Sequence, residues 1–273
     1  MKFKCKMTDT GSLRDFSNVA TTVARMSKQC VIRLTRNFFF FNIADDTTPM
    51  VWARLDQNHF FVDYMVHGKT DDIHEIYMEL NSAMLAKSVS TFKAAARSVK
   101  IRLTNKQQPC LTFEIEMSSI SAESRMCVHD IPITIIPQKK WPEFNQPHIE
   151  KFEISVEMPQ FKNLRSVLER MKNMSPVLTI SVDTNGVLAL KADADSATVS
   201  VHFPNLTVLE CDAEDETVSA SVDIKKFHAF VAWDAVHPTS MNCNIISDKV
   251  VNINLTLDDY MQIKYYIPAV ECN

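Results

Sequence analysis

Phe16-Ser17-Asn18-Val19-Ala20-Thr21-Thr22-Val23-Ala24-Arg25-Met26 returns later in the chain as Phe161-Lys162-Asn163-Leu164-Arg165-Ser166-Val167-Leu168-Glu169-Arg170-Met171. Apolar residues, Asn, Arg and Met fall on matching positions at one constant offset. Each copy is followed by two apolar, strand-like runs that end in Ala-Asp, at Ala44-Asp45 and Ala192-Asp193. A repeat of about half the chain means one structural unit used twice. Whatever the helix of that unit does, the molecule does at least twice.

Outward from these helices, short alternating runs read as strands. The first half reads as strand 2–7, helix 13–28, strands 30–43, 51–55, 60–66 and 75–80, helix 82–97, then strands 99–104 and 110–117. The second reads as strand 152–158, helix 160–174, five strands between 177 and 222, helix 224–235, and strands 242–247, 250–256 and 261–267. Asp183-Thr184-Asn185-Gly186 is a hairpin signal inside it. Strand-rich halves with two helices each are an α+β pattern, not the βαβ alternation of a parallel sheet. Between them, Ile136-Pro137-Gln138-Lys139-Lys140-Trp141-Pro142-Glu143-Phe144-Asn145-Gln146-Pro147 has prolines spaced against helix and central strand alike. It is expected to be an extended connector, with Trp141 packed on the domain beneath. The expected domains are 1–135 and 152–273, joined by 136–151.

The chain has 273 residues, 46% hydrophobic and 23% charged, enough for two real cores. Its three glycines, Gly11, Gly68 and Gly186, leave no Gly-rich phosphate loop, so no nucleotide site is expected. No apolar run approaches the ~18 residues of a membrane span. The alternating start Met1-Lys2-Phe3-Lys4-Cys5-Lys6 lacks the apolar core of a secretory signal. The expected setting is intracellular. The seven cysteines, Cys5, Cys30, Cys110, Cys127, Cys211, Cys243 and Cys272, are scattered without a CxxC, and read as reduced, mostly buried residues. No metal or cofactor is expected.

The formal net charge is −4, yet the charge is segregated. The helical segments carry Arg14, Arg25 and Lys28; Lys87, Lys93, Arg97 and Lys100; Lys162, Arg165, Arg170 and Lys172; and Lys225 and Lys226. Against these stand only Asp15, Glu169 and Asp234. In the first helix Leu13, Phe16, Ala20 and Val23 make the core stripe, and Arg14, Thr21, Arg25 and Lys28 take the opposite face. In the third helix Phe161, Leu164, Leu168 and Met171 make the stripe. The helices' outward faces are therefore positive, and the outward strand faces and loops are expected to be acidic. Such a field attracts phosphates in spite of a negative total charge. With no Asn/Gln/Arg recognition cluster and no interleaved aromatics, contact would be with the backbone and independent of sequence.

Four polar clusters invite a catalytic reading. His129-Asp130 has no nucleophile assignable beside it, and Pro132 follows, so a structural role at a strand end is expected. Asp212-Ala213-Glu214-Asp215-Glu216 reads as a solvated loop. Asp193/Asp195 and Asp258/Asp259 are the carboxylate pairs a metal-dependent nucleic-acid hydrolase would need, and both sit at expected turns.

Over its whole length the chain resembles the DNA sliding clamps, and more closely the Hus subunits of the DNA-damage checkpoint clamp, the 9-1-1 ring made with two Rad subunits. The resemblance rests on Met1-Lys2-Phe3 opening into a strand, Glu75-Ile76-Tyr77-Met78-Glu79-Leu80, Leu103-Thr104-Asn105-Lys106 and Pro109-Cys110-Leu111-Thr112. It continues through His129-Asp130-Ile131-Pro132-Ile133, Glu169-Arg170-Met171-Lys172-Asn173, Cys243-Asn244-Ile245 and Tyr265-Tyr266-Ile267-Pro268-Ala269. Proliferating cell nuclear antigen is a more distant likeness.

The resemblance implies two repeated α+β domains, each with two helices on a curved antiparallel sheet. It implies a non-catalytic subunit of a heterotrimeric nuclear ring that encircles duplex DNA at damage sites, set in place by an ATP-dependent clamp loader and tethering repair and checkpoint proteins. Arg14, Arg25, Lys28, Lys87, Lys93, Arg97, Lys162, Arg165, Arg170, Lys172, Lys225 and Lys226 would face the DNA. Ring closure would use two sheet edges: Cys110, Leu111, Thr112, Phe113, Glu114 and Ile115 on one side, and Ala197, Thr198, Val199, Ser200, Val201 and His202 on the other. Ile136, Trp141, Tyr266 and Pro268 would frame a groove for partner peptides. A homotrimeric replicative clamp is the competing assembly. Glu114 and Glu116 on one edge would meet only His202 on the other, which favours unlike neighbours.

Overall fold

The structure is a computed structural model that describes residues 1–44, 50–70, 74–92, 96–118, 125–149, 151–194 and 197–270. Of the residues singled out from the sequence, Asp45, Lys93, Asp195 and Cys272 lie outside the described ones. The chain divides into two compact units, Met1–Asp45 with Trp52–Asn145, and Asp46–Val51 with Gln146–Asn273.

Unit 1 opens with β1 (Lys2–Met7) and α1 (Thr10–Met26). Asp9 caps α1 by accepting from the Ser12 N–H at 2.8 Å, which satisfies a backbone donor that the helix leaves orphaned. The apolar stripe is buried as its spacing requires: Leu13 is 3% exposed, and Phe16, Val19, Ala20 and Val23 are 0%. Next come β2 (Gln29–Leu34), β3 (Phe38–Ile43), β4 (Met50–Asp56), the single turn α2 (Gln57–Phe60), β5 (Val62–His67), β6 (Ile76–Asn81) and α3 (Ser82–Ser90). The unit closes with β7 (Ala96–Asn105), β8 (Pro109–Met117) and β9 (Arg125–Ile135). The strand order is β5-β1-β7-β8-β9-β6-β2-β3, with antiparallel pairing in every ladder.

Unit 2 repeats the scheme. Its elements are β10 (Ile154–Glu157), α4 (Phe161–Met171), β11 (Val177–Asp183), β12 (Leu188–Ala194), β13 (Ala197–Phe203), β14 (Val208–Cys211), β15 (Thr217–Asp223), α5 (Ile224–Phe230), β16 (Ser240–Ile246), β17 (Val250–Leu257) and β18 (Met261–Pro268). A 3-10 turn, Val231–Val236, prolongs α5. The pairings match those of unit 1. β10 lies between β14 and β16 as β1 lies between β5 and β7. β11 joins β12 and β15 as β2 joins β3 and β6. At the β11–β12 hairpin Gly186 has φ +79, and a Cβ there would lie 2.1 Å from the Leu206 carbonyl oxygen, so only glycine fits.

Four expectations are corrected. Helix α3 spans Ser82–Ser90, and the chain is already in β7 from Ala96, so the second helix does not reach 97. Arg97 and Lys100 therefore lie on β7. The connector is not extended: Gln138–Phe144 forms a 3-10 helix that contains Pro142. Pro137 and Pro142 lack donors, but their carbonyls accept from Lys140 and Asn145 at 2.9 and 3.2 Å, and a short 3-10 turn needs no more. β9 is a full strand, so His129 and Asp130 sit in mid-strand and not at an end.

The fourth correction concerns the first interface strand. Cys110–Ile115 is not an edge, because β8 pairs with β7 on one side and with β9 along its whole length on the other. Leu111, Phe113 and Ile115 are 0% exposed. Glu114 is held by Lys100 and Arg102, and Glu116 accepts from the Ser98 hydroxyl. The contrast drawn between Glu114/Glu116 and His202 therefore falls away.

Candidate nucleic-acid interface

Within each unit the two helices pack as neighbours. α1 and α3 are joined by the Ser17 hydroxyl, which donates to the Val89 carbonyl at 3.3 Å. Their core face is aromatic: Phe16 meets Phe39, Phe41, Phe61 and Phe92 with centroids 5.3–6.4 Å apart. The opposite face leaves Arg25, Lys28 just beyond the helix, and Lys87 exposed, with no ion pair among the described residues. Arg14 is exposed but bound to Asp15 at 3.1 Å.

α4 and α5 are joined by charge. Arg165 pairs with Asp234 at 2.7 Å, and Glu169 accepts from Lys172 at 2.5 Å and meets the His228 Nε2 at 2.8 Å. Lys172 first, then His228, hold the Glu169 carboxyl below its usual range. Lys162, Arg170 and Lys225 remain exposed without an ion pair among the described residues. Lys226 is half-buried, and its carbonyl accepts from the Tyr265 hydroxyl at 2.6 Å. The bases expected on helices thus split into a free set, a set tied to acids, and Arg97, exposed on a strand.

β5, β14 and β15 end their sheets, and two further stretches among the described residues have a free edge. β13 pairs only with β12, and its residues are exposed or half-buried. The other is β9, which pairs with β6 only at Ile133, Thr134 and Ile135, so residues 125–132 have β8 on one side and no ladder on the other. Met126 and Val128 there are 61% and 52% exposed. Pro132 is tolerated in such a place because its missing N–H matters only to an inner strand. Asp130 accepts from Lys106 and Thr112, both at 2.6 Å, and Lys106 first, then Thr112, lower its carboxyl pKa.

Trp141 stacks on Tyr77 with ring centroids 4.6 Å apart, donates its indole N–H to the Ile136 carbonyl at 3.0 Å, and so anchors the connector to unit 1. With Ile136 it lines a cleft of about 300 Å³ that also touches Met1, Lys69, Pro137 and Gln138. Tyr266 and Pro268 belong to β18 of unit 2, where the Tyr266 hydroxyl accepts from Gln146 at 2.8 Å. Among the described residues no three His, Cys, Asp or Glu gather as metal ligands. Asp212 pairs with Lys151, and Asp193 with Lys191. Burial pushes the Cys30 and Cys243 thiols up to about 12. No helix among the described residues is long and apolar enough to cross a membrane.

Two copies of a β-α-β-β-β-β-β-α-β-β-β unit, with basic residues on the helices, define a clamp of the proliferating cell nuclear antigen type. The chain belongs to the Hus1-like protein family, which it matches over residues 1–271. It is 34% identical to "Checkpoint protein HUS1" of Homo sapiens, across 99% of this chain and 100% of that one. It is 28% identical to "Checkpoint protein Hus1-like" of Drosophila melanogaster, across 99% of each. Against "Checkpoint protein hus1" of Schizosaccharomyces pombe the figure is 25%, across 78% and 72%.

Proposed function

We propose that this chain is the Hus-type subunit of a heterotrimeric DNA-damage checkpoint clamp, a nuclear ring that closes around duplex DNA and tethers repair and signalling proteins. The observation that carries this reading is the placement of Arg25 and Arg170. They occupy matching positions in the two copies of the repeat, both are exposed, and neither has an acidic partner among the described residues. Exposed, unpaired cations bind backbone phosphate without reading bases, and each contact adds to the salt dependence. Family membership supplies the clamp complex and its other subunits.

The subunits would join through the free edges, residues 125–132 of β9 and Ala197–Phe203 of β13, each extending a sheet of a different Rad-type neighbour by backbone pairing. Trp141 and Ile136 would receive partner peptides. An ATP-dependent loader would set the ring on DNA, and no chemical step is assigned to the chain itself. The test is retention of the reconstituted three-subunit ring on closed circular DNA, with Arg25→Glu and Arg170→Glu combined. The expected result is assembly as in the parent, with retention lost at a lower salt concentration. Unchanged salt-dependent retention would sink the DNA-facing assignment.

A further inference from the structure

The outer face of unit 1 carries a second basic surface, on the side of the sheet away from its helices. In β1, Phe3, Cys5 and Met7 are buried in the core, so Lys2, Lys4 and Lys6 point to the opposite face. In the next strand Lys4 lies directly across from Arg102, and Lys6 from Lys100. Like charges facing each other across a ladder destabilise a sheet. Glu114 lies beyond β7 and binds Lys100 and Arg102. Lys2, Lys4 and Lys6 have no ion pair among the described residues, and on their other flank they face His67, Met65 and Val62. Asp63, the carboxylate of β5, forms no ion pair either.

Unit 2 fills the corresponding positions differently. The residues that match Lys2, Lys4 and Lys6 are Glu153, just before β10, and Ser155 and Glu157 within it. Where unit 1 opposes Lys4 to Arg102, unit 2 opposes Ser155 to Asn244, and these are hydrogen-bonded at 2.5 Å. Asn244 donates to Asn252 at 2.7 Å, and Asn252 to the Tyr265 carbonyl at 3.3 Å. That ladder is buried, with Ser155 6%, Asn244 8% and Asn252 3% exposed, and its polar groups are paired with one another. The matching strip of unit 1 is basic, carries Lys2 and Lys4 exposed, and leaves its three ammonium groups without an ion pair among the described residues.

We propose that this strip docks an extended acidic segment of a partner protein, running along β1 with carboxylates at alternate residues. Alternate side chains of a strand stand about 6.8 Å apart, and an extended peptide repeats at the same interval. The centre of the face offers no aromatic side chain on which bases could stack: it is made of Lys2, Lys4, Lys6, Lys100 and Arg102. Glu114 and Glu116 form a negative margin on β8, which confines an anionic ligand to the line of β1 and disfavours a duplex laid across the strands. This surface is separate from the helix face proposed for DNA.

The test uses the full chain, a fluorescein-labelled dodecapeptide of alternating Glu and Ser, and an oligo-dT of equal length, followed by anisotropy across a salt series. Peptide binding should fall tenfold or more when Lys2, Lys4 and Lys6 are all replaced by Ala. It should survive in the triple Lys→Arg variant and in the Arg25→Glu/Arg170→Glu variant. The alanine variant should melt no lower than the parent, since it removes repulsion; Lys4→Gln alone, a milder change, should show a smaller loss in the same direction. Failure of the parent to bind the peptide at low salt, or equal binding by the alanine variant, would overturn the proposal. So would oligo-dT binding tighter than the peptide and depending on the same three lysines, which would make this a nucleic-acid surface.

Discussion

Units 1 and 2 have one topology and two ways of holding their helices together. Unit 1 relies on rings: Phe16 sits among Phe39, Phe41, Phe61 and Phe92, and the contact between its helices is a neutral hydrogen bond from Ser17. Unit 2 relies on ions: Arg165–Asp234 and Glu169–His228 clasp α4 to α5, and Phe161 meets Phe230 as its ring neighbour. Clasping by charge uses cations that would otherwise be free. Unit 2 thus commits Arg165 and Lys172 to acids and still leaves Lys162, Arg170 and Lys225 free, as unit 1 leaves Arg25, Lys28 and Lys87, so a duplicated fold has divided packing from charge differently in its two copies.

The largest expected effect tests the packing half of that contrast. Phe16 is 0% exposed and Phe161 is 7%. Truncating a buried phenylalanine costs about 3–5 kcal/mol, more where the surroundings cannot collapse. Phe16→Ala should fall near the top of that range and Phe161→Ala near the bottom, as measured by urea denaturation. Equal losses would mean that the rings around Phe16 add nothing beyond burial.

Next in size is the helix cap. α1 has Asp9, while Gln160 before α4 makes no side-chain cap hydrogen bond. Asp9→Ala should cost about 1 kcal/mol, and Gln160→Asp should return a comparable gain to unit 2. The Ser12 N–H first, then the Ser12 hydroxyl, hold the Asp9 carboxyl below its usual range. Because the folded value is lowered, the cap's contribution is complete above the unfolded Asp value, roughly pH 3.9, and is lost as pH falls through the lower folded value. Denaturation midpoints from neutral to acid pH should therefore converge for parent and Asp9→Ala, and Gln160→Asp should acquire an acid-sensitive step. A cap effect that persists at the lowest pH would mean that the carboxylate's charge is not what stabilises the helix.

The same contrast explains what was legible in the sequence. The repeat was legible because Phe16, Val19 and Val23 and their counterparts Phe161, Leu164 and Leu168 carry a local 3.6-residue signal, and a core stripe looks the same whatever it packs against. β9 was not, because Met126-Cys127-Val128-His129-Asp130 does not alternate cleanly and Pro132 argues against an inner strand. Without β9, β8 reads as an edge strand. Leu111, Phe113 and Ile115 alternate with polar residues as an edge strand would, and only the partner strand shows that they are inside. The bases were found by type, but not their pairing: nothing near Arg165 in sequence announces Asp234. Lys2, Lys4 and Lys6 were read as strand alternation, and the expectation of acidic outer strand faces missed that they oppose Lys100 and Arg102.

The smallest expected effect addresses that pairing directly. If unit 2's clasp withholds a cation from DNA, then Asp234→Asn should free Arg165 at modest cost, since exposed ion pairs are worth only about 0–1 kcal/mol. Arg165 and Asp234 are 50% and 37% exposed, so the pair is of that kind. DNA affinity of the assembled ring should rise about two- to threefold at low salt, a gain of roughly 0.5 kcal/mol. The slope of log affinity against log salt should steepen, because one more phosphate contact releases one more counterion. The reciprocal variant sharpens the point: Arg165→Glu should weaken retention less than Arg25→Glu, because Arg25 has no acid to leave. Equal losses would show that the ion pair does not restrain Arg165. A gain from Asp234→Asn that persists in the Arg165→Ala background would trace the effect to lost negative charge alone and break the link between how unit 2 is clasped and how it meets DNA.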